Sequence, residues 1–97
     1  MEIALTTQMP TIDKEEVREA LQTALRNETE IARARRDSFE HACRAFEQQQ
    51  QLSSVEFMQR FEAGQLGDDA QYFDWYAAKR GLDIWDRRFR ILSGVSV

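Results

Sequence analysis

Between Asp13 and Leu52 the chain contains neither proline nor glycine, and this unbroken run limits the fold more than any other feature. The whole sequence has one proline, Pro10, and four glycines. Those residues are the usual interrupters of helices, so a few long helices and almost no strand are expected. Thr11 or Asp13 caps the first helix, and Asp13 with Glu16 fits the capping-box spacing in its aspartate form. The acids Asp13, Glu15 and Glu16 suit the positive end of the helix dipole.

At about 100° per residue, Val17, Ala20, Leu21, Ala24, Leu25, Ile31, Ala32, Phe39, Ala42, Cys43 and Phe46 share one face of this helix. Charges fill the other, with Arg26–Glu30, Arg33–Asp37, Arg36–Glu40 and Glu40–Arg44 each four residues apart. Such pairs contribute only about 0.2–0.5 kcal/mol each. A helix of this length therefore needs its apolar face covered. Glu28 and Arg35 interrupt that face. They lie two turns apart and cannot pair along one helix, but in an antiparallel two-fold partner each would meet the other. The alternative is that both reach from the edge of the stripe into water.

Punctuation is concentrated from Ser53 to Tyr76. Ser53 and Glu56 form a capping box, with Leu52 and Phe57 placed as its hydrophobic staple. A short helix is expected there, packing through Phe57, Met58 and Phe61. Gly64 stops it by permitting the left-handed residue on which helices commonly end. Asp68, with Gln71 completing its box, then caps a final helix that runs to about Ser93 and ends at Gly94.

The final helix is apolar on two sides. Trp75, Ala78, Leu82, Trp85, Phe89 and Leu92 lie on one, and Phe73, Ala77, Ile84 and Ile91 on the opposite. Lys79, Asp83, Asp86, Arg87 and Arg90 form a polar ridge between them. A helix with two apolar sides requires cover on both. The first helix supplies one cover and a second copy of the chain is expected to supply the other. Gly81 sits between the two sides, where it would permit close approach of another helix.

No grouping of residues points to chemistry. Asp68, Asp69 and Asp74 lack the glycine-containing loop of alternating acids that a calcium site uses. His41 and Cys43 project about 200° apart on a helix. No glycine-rich phosphate loop is present, and no nucleophile has an evident base. The expectation is a non-enzyme with no catalytic, metal-binding or cofactor-binding residues. Seventeen acids against thirteen bases give a net charge of −4, which argues against a dedicated nucleic-acid surface. The final helix also begins Ala70-Gln71-Tyr72-Phe73-Asp74-Trp75, acidic and aromatic where a recognition helix is polar and basic. No run is long and apolar enough to span a membrane. The opening MEIALTTQMP lacks the features of a secretory signal, and a single cysteine, Cys43, builds no disulfide framework. A cytoplasmic location is expected.

The pattern S-S-x-E-F-x-x-x-F-x-x-G-x-L-G-D-D-x-x-x-F-x-W over Ser53–Trp75 resembles small, largely uncharacterised prokaryotic helical-hairpin proteins. Some of these look like the antitoxin-side partners of two-gene toxin–antitoxin modules. The resemblance implies a non-catalytic protein whose helices bind a partner protein.

The expected fold is all-α: a long helix, a short connecting helix and a long returning helix in an antiparallel hairpin, assembled as a dimeric bundle. Residues 1–10 are expected to be a flexible tail (with EIALTT able to add a short strand), 11–94 a single helical domain, and 95–97 a C-terminal tail. The expected function is protein–protein interaction, antitoxin-like in its sharpest form, with a homodimer and a toxin-like protein as partners. Its surface is expected at Phe73, Ala77, Ile84, Ile91, Glu28 and Arg35. The alternative is a DNA-binding transcriptional regulator acting as a dimer.

Overall fold

The structure, a computed structural model, describes residues 11–97. The N-terminal tail assigned to residues 1–10, with its short strand, lies outside the described residues. The described chain forms α1 (Lys14–Gln50), α2 (Ser54–Glu62) and α3 (Ala70–Ser93). The molecule is elongated, 62 × 22 × 20 Å, because α1 alone extends about 55 Å at 1.5 Å per residue.

The all-α hairpin is as expected. α1 and α3 run antiparallel, and their partners fall in number on one helix as they rise on the other. Gln50 bonds Gln71, Phe46 stacks on Trp75, and Arg36 lies over Phe89. Gln22 Nε2 donates to the Val97 carbonyl at 3.2 Å, so the chain's end lies along the first turns of α1. No helix among the described residues is long and apolar enough to cross a membrane.

The packed seam is narrower than the apolar stripe of α1. Buried or half-buried positions recur at Leu25, Ala32, Phe39 and Phe46, and again at Thr29, Arg36, Cys43 and Gln50. On α3 they are Trp75, Leu82 and Phe89 with Ala78, Trp85 and Leu92. Both helices thus present a seven-residue repeat, the period that keeps one seam in contact along a gently supercoiled pair. Ala20, Leu21, Ala24 and Ile31, grouped with the buried stripe by the 100° projection, are exposed instead. Ile31 falls on a seam that α3 leaves uncovered, and Ala20, Leu21 and Ala24 lie beyond the end of α3.

The core is densest at the joint. Phe46 of α1 stacks on Trp75 of α3 at 5.8 Å, and Phe57 of α2 stacks on the same side chain at 3.9 Å. Phe57 and Trp75 are the largest fully buried side chains, and burying an aromatic of this kind stabilises by about 1.5–3 kcal/mol. The Trp75 indole N–H donates to Ser54 Oγ at 2.9 Å, which satisfies a polar group that would otherwise be stranded.

The helix ends follow the capping logic with instructive departures. Asp13 caps α1 and accepts from the Glu15 amide. Ser53 caps α2 and accepts from the Glu56 amide at 3.1 Å. The reciprocal half of that box is replaced, because the Glu56 carboxylate takes Arg60 at 2.9 Å. A different amide of the first turn, that of Ser54, donates to Glu47 Oε2 at 2.8 Å, so a side chain of α1 helps to cap α2. Gly64, at φ 70°, follows α2, and the bonds Gly64 N–H to Phe61 and Gln65 N–H to Arg60 complete a Schellman stop. The cap of α3 is Asp69, one residue beyond the expected Asp68. Gln71 does not reach back to close a box, because its amide oxygen accepts from Gln50 of α1.

Candidate interaction surface

The two sides of α3 part company in the folded chain. Trp75 and Ala78 are buried against α1, whereas Phe73, Ile84 and Ile91 remain 54%, 50% and 54% exposed. Ala77, one turn after Phe73, is exposed with them. Phe73 is held at one end by an edge-on contact with Phe61 of α2, 5.5 Å between ring centres. Toward the other end a hollow of about 420 Å³ lies among Ile84, Arg87, Arg88, Ile91 and Leu92. The four residues picked from the sequence on α3 thus form one continuous exposed row.

Glu28 and Arg35 stand on α1, and both are exposed. Among the described residues Arg35 pairs with no carboxylate; its guanidinium lies 4.5 Å from the centre of the Trp85 ring. Arg88 approaches the same ring at 4.6 Å. Cation–π contacts of this kind contribute about 0.5–1 kcal/mol at exposed sites. They show that the side of α1 bearing Arg35 is continuous with the side of α3 bearing Arg88. Glu28 is not drawn into this cluster. Its neighbours by helical phase are Leu21 and Ile31, which are 38% and 42% exposed. The sequence reading overlooked these two as surface residues, although the spacing Leu21–Glu28–Arg35–Ala42 was a usable signal.

The opposite side of the hairpin is polar. Lys79 bonds Asp83 at 2.7 Å, and Asp86 takes Arg90 at 2.9 Å and Arg36 at 4.0 Å. Of the four ion pairs expected along α1 only Glu40–Arg44 forms, at 3.0 Å. Arg33 turns back to Glu30, and Arg36 leans toward α3 and its neighbour Asp37. A half-buried guanidinium over Phe89 gains more from the interhelix contact than from an exposed partner on its own helix.

Cys43 is buried beneath the joint. Burial pushes its thiol pKa up, and hydrogen bonding with Ser54 only partly opposes that. The proton is therefore held more firmly than in an exposed cysteine, the reverse of what an activated nucleophile requires. Asp69 is occupied as a helix cap. Among the described residues no three His, Cys, Asp or Glu side chains gather to form a metal site. What the surface offers is an apolar row edged with cations, a feature suited to docking a macromolecule.

No protein-family model, no curated protein and no solved structure matches the chain.

Proposed function

We propose that this chain is a non-catalytic protein–protein interaction module that works as a homodimer, with an antitoxin-like role as its sharpest form. The observation that carries the reading is the row Phe73, Ile84 and Ile91, each at least half exposed on a helix already packed through its other side. Large apolar side chains aligned on one surface are costly in water unless a partner covers them. The antitoxin-like form adds to this the resemblance of Ser53–Trp75, and its partner is a toxin-like protein on the outer side of α3. We assign the second copy of the chain to α1 rather than α3. There Leu21 and Ile31 are exposed beside Glu28 and Arg35, an acid and a base that match each other across an antiparallel two-fold.

Co-expression with the product of the adjacent gene tests the docking reading. Replacing Ile84 and Ile91 by glutamate is expected to abolish copurification while leaving helix content and the melting temperature unchanged. Equal recovery with and without those substitutions would show that α3 is not the docking element.

A dimeric DNA-binding regulator is the second reading, favoured by one observation: Arg80, Arg87 and Arg88 are exposed and in no ion pair among the described residues. Against it stands the start of α3, where Asp69 and Asp74 flank the aromatic residues. Gel shifts across a salt series separate the readings, since phosphate contacts weaken steeply as salt rises.

A further inference from the structure

The outer side of α3 has a chemical pattern beyond its apolar row. Ala77, Ile84 and Ile91 recur every seven residues, and Phe73, Arg80 and Arg87 recur at the same spacing between them. Side chains spaced alternately three and four apart form one seam along a helix. From Phe73 to Ile91 that seam is about 27 Å long. After Phe73 every intervening position is arginine, and Arg88 borders the same row.

Among the described residues these cations pair with no carboxylate. The acids nearest on α3 are engaged on the polar side, Asp83 by Lys79 and Asp86 by Arg90 and Arg36. Arg18, Arg33, Arg44 and Arg60 likewise each hold a carboxylate. Arg80 and Arg88 instead lie over the Tyr76 and Trp85 rings at 6.0 and 4.6 Å. Among the described residues Arg26 and Arg35 of α1 also lack a carboxylate, but on this side of α3 two such arginines are set into an exposed apolar row, in a chain of net charge −4.

The seam excludes a second copy of itself on charge. In parallel packing Arg80 and Arg87 would meet their own duplicates, and in antiparallel packing they would meet Ala77, Ile84 and Ile91. Neither arrangement brings a carboxylate. Nucleic acid could neutralise the arginines but would leave the isoleucines and Phe73 facing a phosphate backbone. An acidic amphipathic helix satisfies both series together.

Resting on the docking reading above, we propose that the outer side of α3 binds an acidic amphipathic helix of another protein. That helix sets apolar residues against Ala77, Ile84 and Ile91 and places glutamate or aspartate against Arg80 and Arg87. The charged positions fix its register, and the apolar positions bury the exposed row.

The test uses the full chain and two synthetic helical peptides of about 21 residues, three heptads. One carries leucine at the apolar positions and glutamate opposite the arginines; its twin carries lysine in place of each glutamate. In fluorescence anisotropy the glutamate peptide is expected to bind at least about tenfold more tightly than the lysine twin. Arg80→Glu with Arg87→Glu should reverse that preference, and Ile84→Glu should weaken both peptides, with melting temperatures unchanged. Equal binding of the twins, binding of neither, or indifference to the arginine reversal overturns the proposal. So does a preference for duplex DNA or anionic vesicles that disappears with the arginines, or a homodimer that Ile84→Glu dissociates. Copurification of the adjacent gene's product separates the two levels of inference. Loss with Ile84→Glu but retention with the arginine reversal removes the acidic chemistry and keeps the docking site; indifference to both removes the docking site as well.

Discussion

Ser54 shows how much of the joint depends on one small side chain. It is 5% exposed, accepts the Trp75 indole N–H, and sits against the Cys43 thiol, while its amide is bonded by Glu47. The sequence made its neighbour Ser53 legible through the spacing to Glu56. Ser54 was not legible, because its partner Trp75 lies on another helix. Ser54→Ala strands the indole N–H in the core and is expected to cost about 1–3 kcal/mol, read by urea unfolding; an unchanged midpoint would show that the bond carries no net stability. Cys43 gives the joint a pH dependence. Its pKa is raised in the folded state, chiefly by desolvation, so the folded chain holds the thiol proton more tightly than the unfolded chain. The stabilisation is complete below the unfolded thiol pKa, about 8.5, and is lost as pH rises from there through the folded value. Unfolding midpoints should therefore fall on the alkaline side of that value, and the fall should be shallower in Cys43→Ala. Parallel profiles for the two proteins would refute the assignment.

At the scale of elements, helix identity was legible because it rests on local signals: absent breakers, Asp13, Ser53 and Gly64. Boundaries set by contacts between helices were not. α1 stops at Gln51, which adopts φ 53° and ψ 45°. No glycine announces that left-handed residue, and the capped start of α2 immediately afterwards fixes the chain there. Asp68 and Asp69 were equally good caps by composition, and the bond between Gln50 and Gln71 accompanies the later start. The apolar stripe of α1 was legible as a whole but not its division into a packed seam and an exposed one, since only the position of α3 divides it. Gly81 is a site of close approach, as its place between the two sides of α3 predicts, and the approaching residue is Phe39 of α1. A Cβ at Gly81 would lie 2.7 Å from that ring. Gly81→Ala gains up to about 1 kcal/mol of helix propensity against an overpacking cost of about 1–3 kcal/mol. A net loss near 1 kcal/mol is expected. Phe39→Leu should recover part of it, so that the double variant is more stable than the sum of the single effects by about 1 kcal/mol. Strict additivity would show that the two positions do not compete for space.

At the scale of the whole molecule, the hairpin leaves two exposed seams, and their charges distinguish the occupants proposed for them. The seam of α3 has arginines without acids, so it calls for chemistry that this chain does not provide there. The seam of α1 has Glu28 and Arg35 seven residues apart with Ile31 between them, an arrangement that becomes its own complement when a second α1 runs antiparallel across it. Both side chains are exposed, and each cross-pair is worth about 0.2–1 kcal/mol; a two-fold axis makes two of them. Arg35→Glu should therefore weaken the proposed dimer about tenfold by replacing two attractions with two repulsions. Adding Glu28→Arg restores opposite charges across the axis and should return the dimer, although it does not restore the Arg35 contact with Trp85. That difference makes the swap decisive under sedimentation equilibrium. Recovery of the dimer by the double variant isolates the interchain pairs, whereas a double variant as monomeric as Arg35→Glu assigns the loss to Trp85 and removes the antiparallel α1 contact.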